Sequence, residues 1–343
     1  MHLRGQVSRM RLSGKTRLII CLFIGVLIFG WSLSRGAVNI PPDKILAIIL
    51  GHGDDPAYNL IVTEIRLPRI VLSFLVGLSL AVAGVVFQGL LRNPMADPYL
   101  VGISSGAGLG AVITLLFNIQ LSLLGIPALP LFAFLGALGT VFLVYNLSRV
   151  GQKVPMNIFL LTGIALGFFW NAAMSFLMVI KVRDLHRVIY WLMGSFGQAG
   201  WEKLPLLLPY LLIGLVLILW KLKDLNFLLL GEEDALSLGV DVERSKFVLL
   251  LGSSLITAAA VSVSGVIGFV GLIIPHISRL ILGPDNRILL PAAAFTGGLF
   301  LVSCDTLARS LLSPVELPVG IITAFFGAPF FVYLLKRKKT TYF

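Results

Sequence analysis

Charge is scarce in this chain of 343 residues. Only 13% of the residues are charged, against roughly 25% in an ordinary soluble domain, and 57% are apolar. This composition excludes a cytosolic globular protein. Because a membrane-spanning helix needs about 20 residues, the chain is long enough for roughly ten such helices, with loops, a basic tail and one longer excursion between them.

Cysteine and histidine are also rare. The two cysteines, Cys21 and Cys304, lie in apolar stretches, and neither has another Cys or a His at metal-ligand spacing. The four histidines are scattered, and paired carboxylates are missing from the depth of the apolar segments. We therefore predict no disulfide framework, no metal site, no catalytic residue and no cofactor. A membrane enzyme is disfavoured.

A complete nucleotide-binding motif is missing as well. Gly14-Lys15-Thr16 resembles the end of a P-loop, but Arg9 stands where the GxxxxGK[ST] pattern requires glycine, and no strand precedes it. We therefore expect that this chain does not hydrolyse a nucleotide by itself.

The amino-terminal residues 1–17 are basic and precede an apolar run, an order that is also found in signal peptides. No small-x-small cleavage site follows before Ile40-Pro41. The pattern predicts an uncleaved first helix with a basic cytoplasmic tail.

Apolar windows separated by polar or Pro/Gly breaks predict an all-α polytopic membrane protein of about ten helices. The eighth window is short and contains a proline, which indicates a partial or broken span. The predicted windows are 18–36, 67–91, 100–118, 123–147, 157–180, 204–220, 247–267, 270–282, 288–311 and 318–335.

The basic residues are distributed unevenly between the two sides of these windows. With both termini inside, the inside segments hold 18 of the 27 Lys and Arg residues, and the outside segments hold nine. The positive-inside rule therefore places both termini in the cytoplasm. Topology explains the basic charge better than nucleic-acid binding does, so no nucleic-acid partner is expected.

A faint internal echo suggests two inverted five-helix halves. The small-residue runs around Gly84 and Gly265 are similar, and a proline follows each glycine ten residues later, at Pro94 and Pro275. Inverted repeats are a common plan in transporters.

Ionisable residues inside a span would favour an ion-coupled secondary transporter. Asp305 and Arg309 lie one helical turn apart, with Glu316 nearby. Their spacing equally suits a structural ion pair whose charges cancel. An ion-coupled secondary transporter therefore stays an alternative function for this chain.

The longest inside excursion, residues 221–246, carries a distinct pattern. Glu232, Glu233 and Asp234 follow Gly231, where the dipole of a short helix would favour acidic residues, and Gly239 is placed to end that helix. The helix would present a small apolar knob for docking, formed by Ala235, Leu236 and Leu238.

At this point the sequence resembles the FecCD family of ATP-binding-cassette importer permeases, whose members carry iron-siderophore, haem or cobalamin. The resemblance spans roughly residues 60–335 in five ordered stretches. These are RLPRIVLSFLVGLSLAVAGVVFQGLLRNPMADPYLVGISSGAGLGA from Arg66, YWLMGSF from Tyr190, LGEEDALSLGV from Leu230, GVIGFVGLIIPHISR from Gly265 and ELPVGIITAFFGAPFF from Glu316.

The resemblance implies a single permease domain over 1–343, located in the bacterial plasma (inner) membrane and surrounded by membrane lipid. It implies a homodimer, or a heterodimer with a related permease, with the substrate path along the subunit interface. The implied partners are two ATPase subunits inside and a periplasmic or lipid-anchored substrate-binding protein outside.

The resemblance also implies residue roles. Arg66 and Arg69 of the RLPR motif, together with Arg309, would dock the binding protein. The alternative role for Arg66 and Arg69 is anchoring to lipid headgroups, and the alternative for Arg309 is pairing with Asp305. The coupling segment would enter the ATPase cleft through Gly231, Glu232, Glu233, Ala235, Leu238 and Gly239. Two cytoplasmic gates, or else structural turns, would be formed by Asn93, Pro94, Met95, Pro155, Met156 and Asn157.

Three further positions are interpreted individually. Asn171 and Ser175 are small polar residues on an apolar helix and are candidates for lining the path. His276 is read as a structural residue, and Asn286 departs from relatives that have His in the corresponding loop.

The predicted function is translocation of an iron(III)-siderophore by alternating access, with haem or cobalamin as the alternative cargo.

Overall fold

The computed structural model of the protein describes residues 14–123, 125–181 and 185–339. The first part is helical, apart from a short antiparallel hairpin in which Ser122 pairs with Pro127 and Leu123 with Ile126. Its elements are α1 (Gly14–Ser34), α2 (Pro42–Ile49), α3 (Pro56–Leu60), a π-helical turn (Ile61–Arg66), α4 (Leu67–Leu90), a 3₁₀ turn (Pro98–Val101), α5 (Ile103–Leu116), β1 (Ser122–Leu123), β2 (Ile126–Pro127), α6 (Ala128–Leu147) and α7 (Met156–Ile180).

The second part is also helical. Its elements are α8 (Leu185–Leu192), a 3₁₀ turn (Trp201–Lys203), α9 (Leu204–Trp220), α10 (Leu222–Leu228), α11 (Glu232–Ser237), α12 (Val242–Ser264), α13 (Val270–Leu282), α14 (Asn286–Ala308) and α15 (Val319–Lys339).

Every predicted apolar window coincides with a helix. Within the described residues, six helices are long and apolar enough to cross a membrane by length and composition, and four shorter apolar helices fall in the other windows. The protein is therefore helical and polytopic, and a total of ten spans stays a prediction. The eighth window forms the continuous helix α13 with Pro275 inside it.

The second predicted window is longer in the structure. Asp55 caps α3 by accepting hydrogen bonds from the amides of Ala57 and Tyr58, and helix continues through the π turn into α4 as far as Leu90. The short helices α2 and α8 were not predicted, because each has only eight residues and neither is uniformly apolar.

Helices α4 and α12 form the centre of the bundle, with 78% and 83% of their apolar windows buried. The two helices contact each other, α4 also packs against α13 and α14, and α12 packs against α5 and α6. Each central helix thus packs against helices of the other half of the chain.

The two glycines of the sequence echo lie at different places along the two central helices. Gly84 lies inside α4, whereas Gly265 ends α12. Gly84 instead allows a close approach to α13, since a Cβ there would lie 2.0 Å from the carbonyl oxygen of Gly271. Small residues permit such backbone contacts between membrane helices.

Helix α14 defines the two ends of the bundle. Near its start, the backbone amide of Asn286 donates a hydrogen bond to Asn226 of α10, and in its last turn Asp305 accepts hydrogen bonds from Arg69 at the start of α4. Its 23 residues rise about 34 Å. We name these the α11 end and the Arg69 end.

Candidate partner and gate surfaces

A short helix lies where the acidic run predicts one. Helix α11 begins directly after Gly231, with Glu232, Glu233 and Asp234 in its first turn, and the chain leaves it through Gly239 at φ +82°. Glycine adopts this left-handed conformation without steric cost.

The apolar knob on α11 is smaller than predicted. Leu236 and Leu238 are 55% and 57% exposed, but Ala235 is completely buried in the main core. Including Ala235 in the knob was therefore wrong, because α11 turns this side chain toward the protein. The exposed apolar part of α11 therefore consists of Leu236 and Leu238.

Helix α10, which precedes α11 in the chain, is attached to the bundle by Asp224. Asp224 accepts hydrogen bonds from Lys221 at 2.8 Å and from Ser245 of α12 at 2.7 Å. Partial burial disfavours the charged carboxylate, but these hydrogen bonds and the attraction of Lys221 outweigh it and lower the pKa of Asp224.

A second attachment joins α10 to α14. Asn226 donates to Asp285 at 2.9 Å and accepts a hydrogen bond from the amide of Asn286 at 3.0 Å. Hydrogen bonds from the Arg287 amide and from Asn226 lower the pKa of Asp285. The side chain of Asn286 is fully buried, so this position does not present its amide to a partner at the protein surface.

The first predicted gate segment follows α4. The Asn93 side chain accepts the amide of Met95 at 3.0 Å. Pro94 and Met95 line a small cavity together with His276 of α13 and two phenylalanines of α15, Phe330 and Phe331. His276 is buried in this packed region.

The second predicted gate segment begins α7. Pro155 is the N-cap of the helix, Met156 is buried and Asn157 is exposed. The preceding residue, Val154, donates its amide to Glu243 of α12 at 2.9 Å. The two gate segments therefore make different contacts, one with α13 and α15 and the other with α12.

The two path candidates lie on a helix that is largely uncovered within this chain. Only 11% of the apolar window of α7 is buried, and both Asn171 and Ser175 are exposed. The Ser175 hydroxyl donates to the backbone oxygen of Asn171 at 2.9 Å.

The three predicted docking arginines come together at the Arg69 end, and all three are buried. Arg69 binds Asp305 through Nε at 2.9 Å and Glu316 through a terminal nitrogen at 2.9 Å. Arg66 donates to the backbone oxygens of Leu33 and Val38, and Arg309 donates to Ser32. Docking through these groups requires them to share or leave their present partners.

The predicted pair of Asp305 and Arg309 is only part of this cluster. Arg309 Nε lies 3.9 Å from the Asp305 carboxylate, whereas Arg69 makes the shorter contact. The sequence interpretation missed the Arg69 pair because 236 residues separate its members, and no local spacing indicates it.

A cavity of about 500 Å³ opens beside the cluster, between α8, the end of α12 and the hairpin side of α6. Its polar lining includes His186, Arg187, Gln198, Lys203 and Glu316. Sequence reasoning did not find this cavity, because its walls come from segments far apart in the chain.

Comparison with known proteins identifies the family. The FecCD transport family matches residues 21–337. The chain belongs to the FecCD transport family. Members of this family are transport permeases rather than enzymes, and nucleotide binding is carried by partner subunits. Our protein is accordingly a multi-span membrane permease.

Several FecCD relatives resemble the chain over most of its length. The cobalamin import system permease BtuC of Halobacterium salinarum is 49% identical and covers 84% of this chain and 77% of its own. The hemin transport system permease HmuU of Yersinia pestis is 44% identical, and the match covers 80% of this chain and 83% of HmuU. An uncharacterized ABC transporter permease of Bacillus subtilis, YvrB, is 42% identical over 89% of both chains.

A solved structure shares the fold. It is described as an inward-facing conformation of a metal-chelate type ABC transporter, and it is 33% identical with a TM-score of 0.82. The match covers 94% of this chain and 99% of the solved chain.

Proposed function

We propose that this FecCD permease is the membrane subunit of an ATP-binding-cassette importer that carries an iron(III)-siderophore by alternating access. The observation that carries the proposal is the match to the FecCD family over residues 21–337, which contains the α10–α11 segment. Relatives that share the match include permeases for iron(3+)-hydroxamate in Bacillus subtilis and ferric dicitrate in Escherichia coli.

The proposed partners follow from the same class. Two ATPase subunits would bind at the α11 end, and a periplasmic or lipid-anchored binding protein would bind at the Arg69 end. This arrangement puts both termini in the cytoplasm of a bacterial cell, with the permease in the inner membrane. The whole chain would act as one permease domain.

Helix α11 is the proposed contact with the ATPase. Leu236 and Leu238 project from it, and Glu232, Glu233 and Asp234 surround its start with negative charge. A compact apolar contact within a charged rim is typical of a specific but reversible interface. Gly231 and Gly239 permit the two turns that set the helix apart from α10 and α12.

The exposed face of α7 is the proposed interface with a second permease subunit, either identical or related. Phe168, Phe169 and Phe176 are exposed on the same helix as Asn171 and Ser175. A second α7 would cover these rings and enclose the polar positions between the subunits. Asn93–Met95 and Pro155–Asn157 would then close the cytoplasmic side of the path.

Cobalamin is the second candidate cargo, because the cobalamin permease of Halobacterium salinarum is 49% identical to this chain. The test is reconstitution of the permease with its ATPase in liposomes, with the binding protein added and uptake of ferric siderophore, haemin and cobalamin measured in parallel. ATP-dependent uptake of ferric siderophore supports the proposal. Uptake that survives without the ATPase and stops with a protonophore would support ion-coupled transport instead.

A further inference from the structure

A buried lysine joins three elements at the α11 end. The side chain of Lys246, in the first part of α12, is 3% exposed. Its ammonium group lies 2.8 Å from the carboxylate of Glu232 in α11 and 2.9 Å from that of Glu243 in α12. It also donates to the backbone oxygen of Val154 at 3.3 Å. An ammonium group has three protons, so each contact can receive one of them.

Glu243 closes the connection to Val154. One carboxylate oxygen accepts a hydrogen bond from the Lys246 ammonium group, and the other accepts one from the backbone amide of Val154 at 2.9 Å. Both backbone polar groups of Val154 are therefore held by the Lys246–Glu243 pair. The next residue, Pro155, has no amide proton and caps α7, so Val154 is the last amide before that helix that can be held in this way.

The chemistry of this cluster suits positioning better than stabilisation. A buried ion pair often adds little stability relative to an apolar substitute, and its best attested use is to select one arrangement of the elements that it joins. Glu232 and Glu243 retain 40% and 29% exposure, so water reaches their far sides while Lys246 is shielded. Lys246 is the shared centre, and losing it removes all three of its contacts at once.

We propose that Lys246 is a positioning residue that makes α11 and the start of α7 move as one unit. A displacement of α11 would pass through Glu232, Lys246 and Glu243 to Val154, and from there to Pro155, Met156 and Asn157. This inference rests on the proposed function, in which α11 contacts the ATPase and residues 155–157 form a gate. Residues 238–241 also join α11 to α12, so Lys246 adds a direct tie from α11 to Glu243 and Val154 beside this short turn.

The distance between the two ends of this link tests the proposal without any cargo. Spin labels at exposed positions Ser237 in α11 and Gln152 before α7 would be introduced into a variant in which Cys21 and Cys304 are replaced by alanine. Double electron–electron resonance would then be recorded on the permease–ATPase complex in lipid nanodiscs, without nucleotide and trapped with ATP and vanadate. With spin labels in only one of the two permease subunits, we expect one narrow distance that is the same in both states.

The substitution Lys246→Met removes the ammonium group and retains an unbranched side chain. We expect the Ser237–Gln152 distance to broaden and to differ between the two nucleotide states. Glu232→Gln removes only the ion pair with α11 and should also broaden the distance. It replaces Lys246→Met as the test if the methionine variant fails to fold. Lys246→Arg should restore the narrow distance. Lys153→Met, which removes an exposed lysine beside Val154, is the matched control and should leave it unchanged.

Transport gives the second readout. In the reconstituted system, Lys246→Met should hydrolyse ATP at the wild-type rate but lower ferric-siderophore uptake per ATP by about tenfold, within the usual range of coupling between distant sites. A narrow, nucleotide-independent distance in folded Lys246→Met, with unchanged uptake per ATP, would overturn the inference. Absence of ATP-dependent uptake in the wild type would instead overturn the proposed function, while the distance measurement would still test the link.

Discussion

Replacing Arg69 with methionine tests the buried cluster at the Arg69 end. Arg69 donates five hydrogen bonds, three to Asp305 and two to Glu316. The Asp305 side chain is 2% exposed, and its other cationic neighbour, Arg309, lies 3.9 Å away. The methionine variant therefore leaves a buried carboxylate without a close partner.

The two arms of Arg69 contribute unequally to the free energy of unfolding. Removing one member of a buried ion pair costs about 3–5 kcal/mol, and this cost applies to the Asp305 arm. The Glu316 side chain is 44% exposed, so solvent screens the second arm and its contribution is about 0–1 kcal/mol. We expect Arg69→Met to lower the unfolding free energy by about 3–6 kcal/mol in total.

The assay is unfolding of the purified permease in dodecyl maltoside micelles by added sodium dodecyl sulfate, followed by circular dichroism. Arg35→Met is the matched control, because Arg35 is exposed near the same end, and its unfolding free energy should stay within about 0.5 kcal/mol of wild type.

The double variant Arg69→Met/Asp305→Asn should be more stable than Arg69→Met by about 1–3 kcal/mol, because it also removes the buried carboxylate that Arg69→Met leaves without a close partner. If Arg69→Met is as stable as Arg35→Met, the cluster does not hold this end of the bundle together and our reasoning is refuted.

Three other predictions concern the central packing and the α11 end. Leu236→Asp/Leu238→Asp should abolish co-purification of the ATPase while leaving the unfolding curve unchanged, since both leucines are exposed; unchanged co-purification would exclude them from the interface. Gly84→Leu should lower the unfolding free energy by about 1–3 kcal/mol or more through overpacking, whereas Gly139→Ala, with open space at its Cβ, should not. The pKa of Asp224 is lower in the folded protein, so the contribution of its carboxylate to the unfolding free energy is complete above pH 3.8 and is lost as pH falls through the folded pKa. Asp224→Asn should remove that part of the acid dependence of unfolding, and identical pH profiles of variant and wild type would contradict the prediction.

The positions of the long helices could be predicted from the sequence because hydropathy is a local signal that extends over about 20 residues. The start of α11 was predictable for a similar reason, since Gly231, three acids and Gly239 form a local pattern of helix termini. The amphipathic helices α2 and α8 are too short to give such a signal.

Contacts between distant segments could not be predicted. Arg69 and Asp305 are 236 positions apart, and Lys246 reaches Val154 across 92 positions. Ala235 was misplaced because an alanine within an acidic and apolar run does not indicate which side of a six-residue helix faces the protein. Burial of Asn286 likewise depends on how α10 packs against α14, which no local pattern shows.

The measurement that tests the central claim most directly is accumulation of ferric siderophore in liposomes that contain the permease and its ATPase, with the binding protein outside and a protonophore present. Our account predicts accumulation that requires ATP and the binding protein and is insensitive to the protonophore. Accumulation that proceeds without ATPase and is abolished by the protonophore would contradict it.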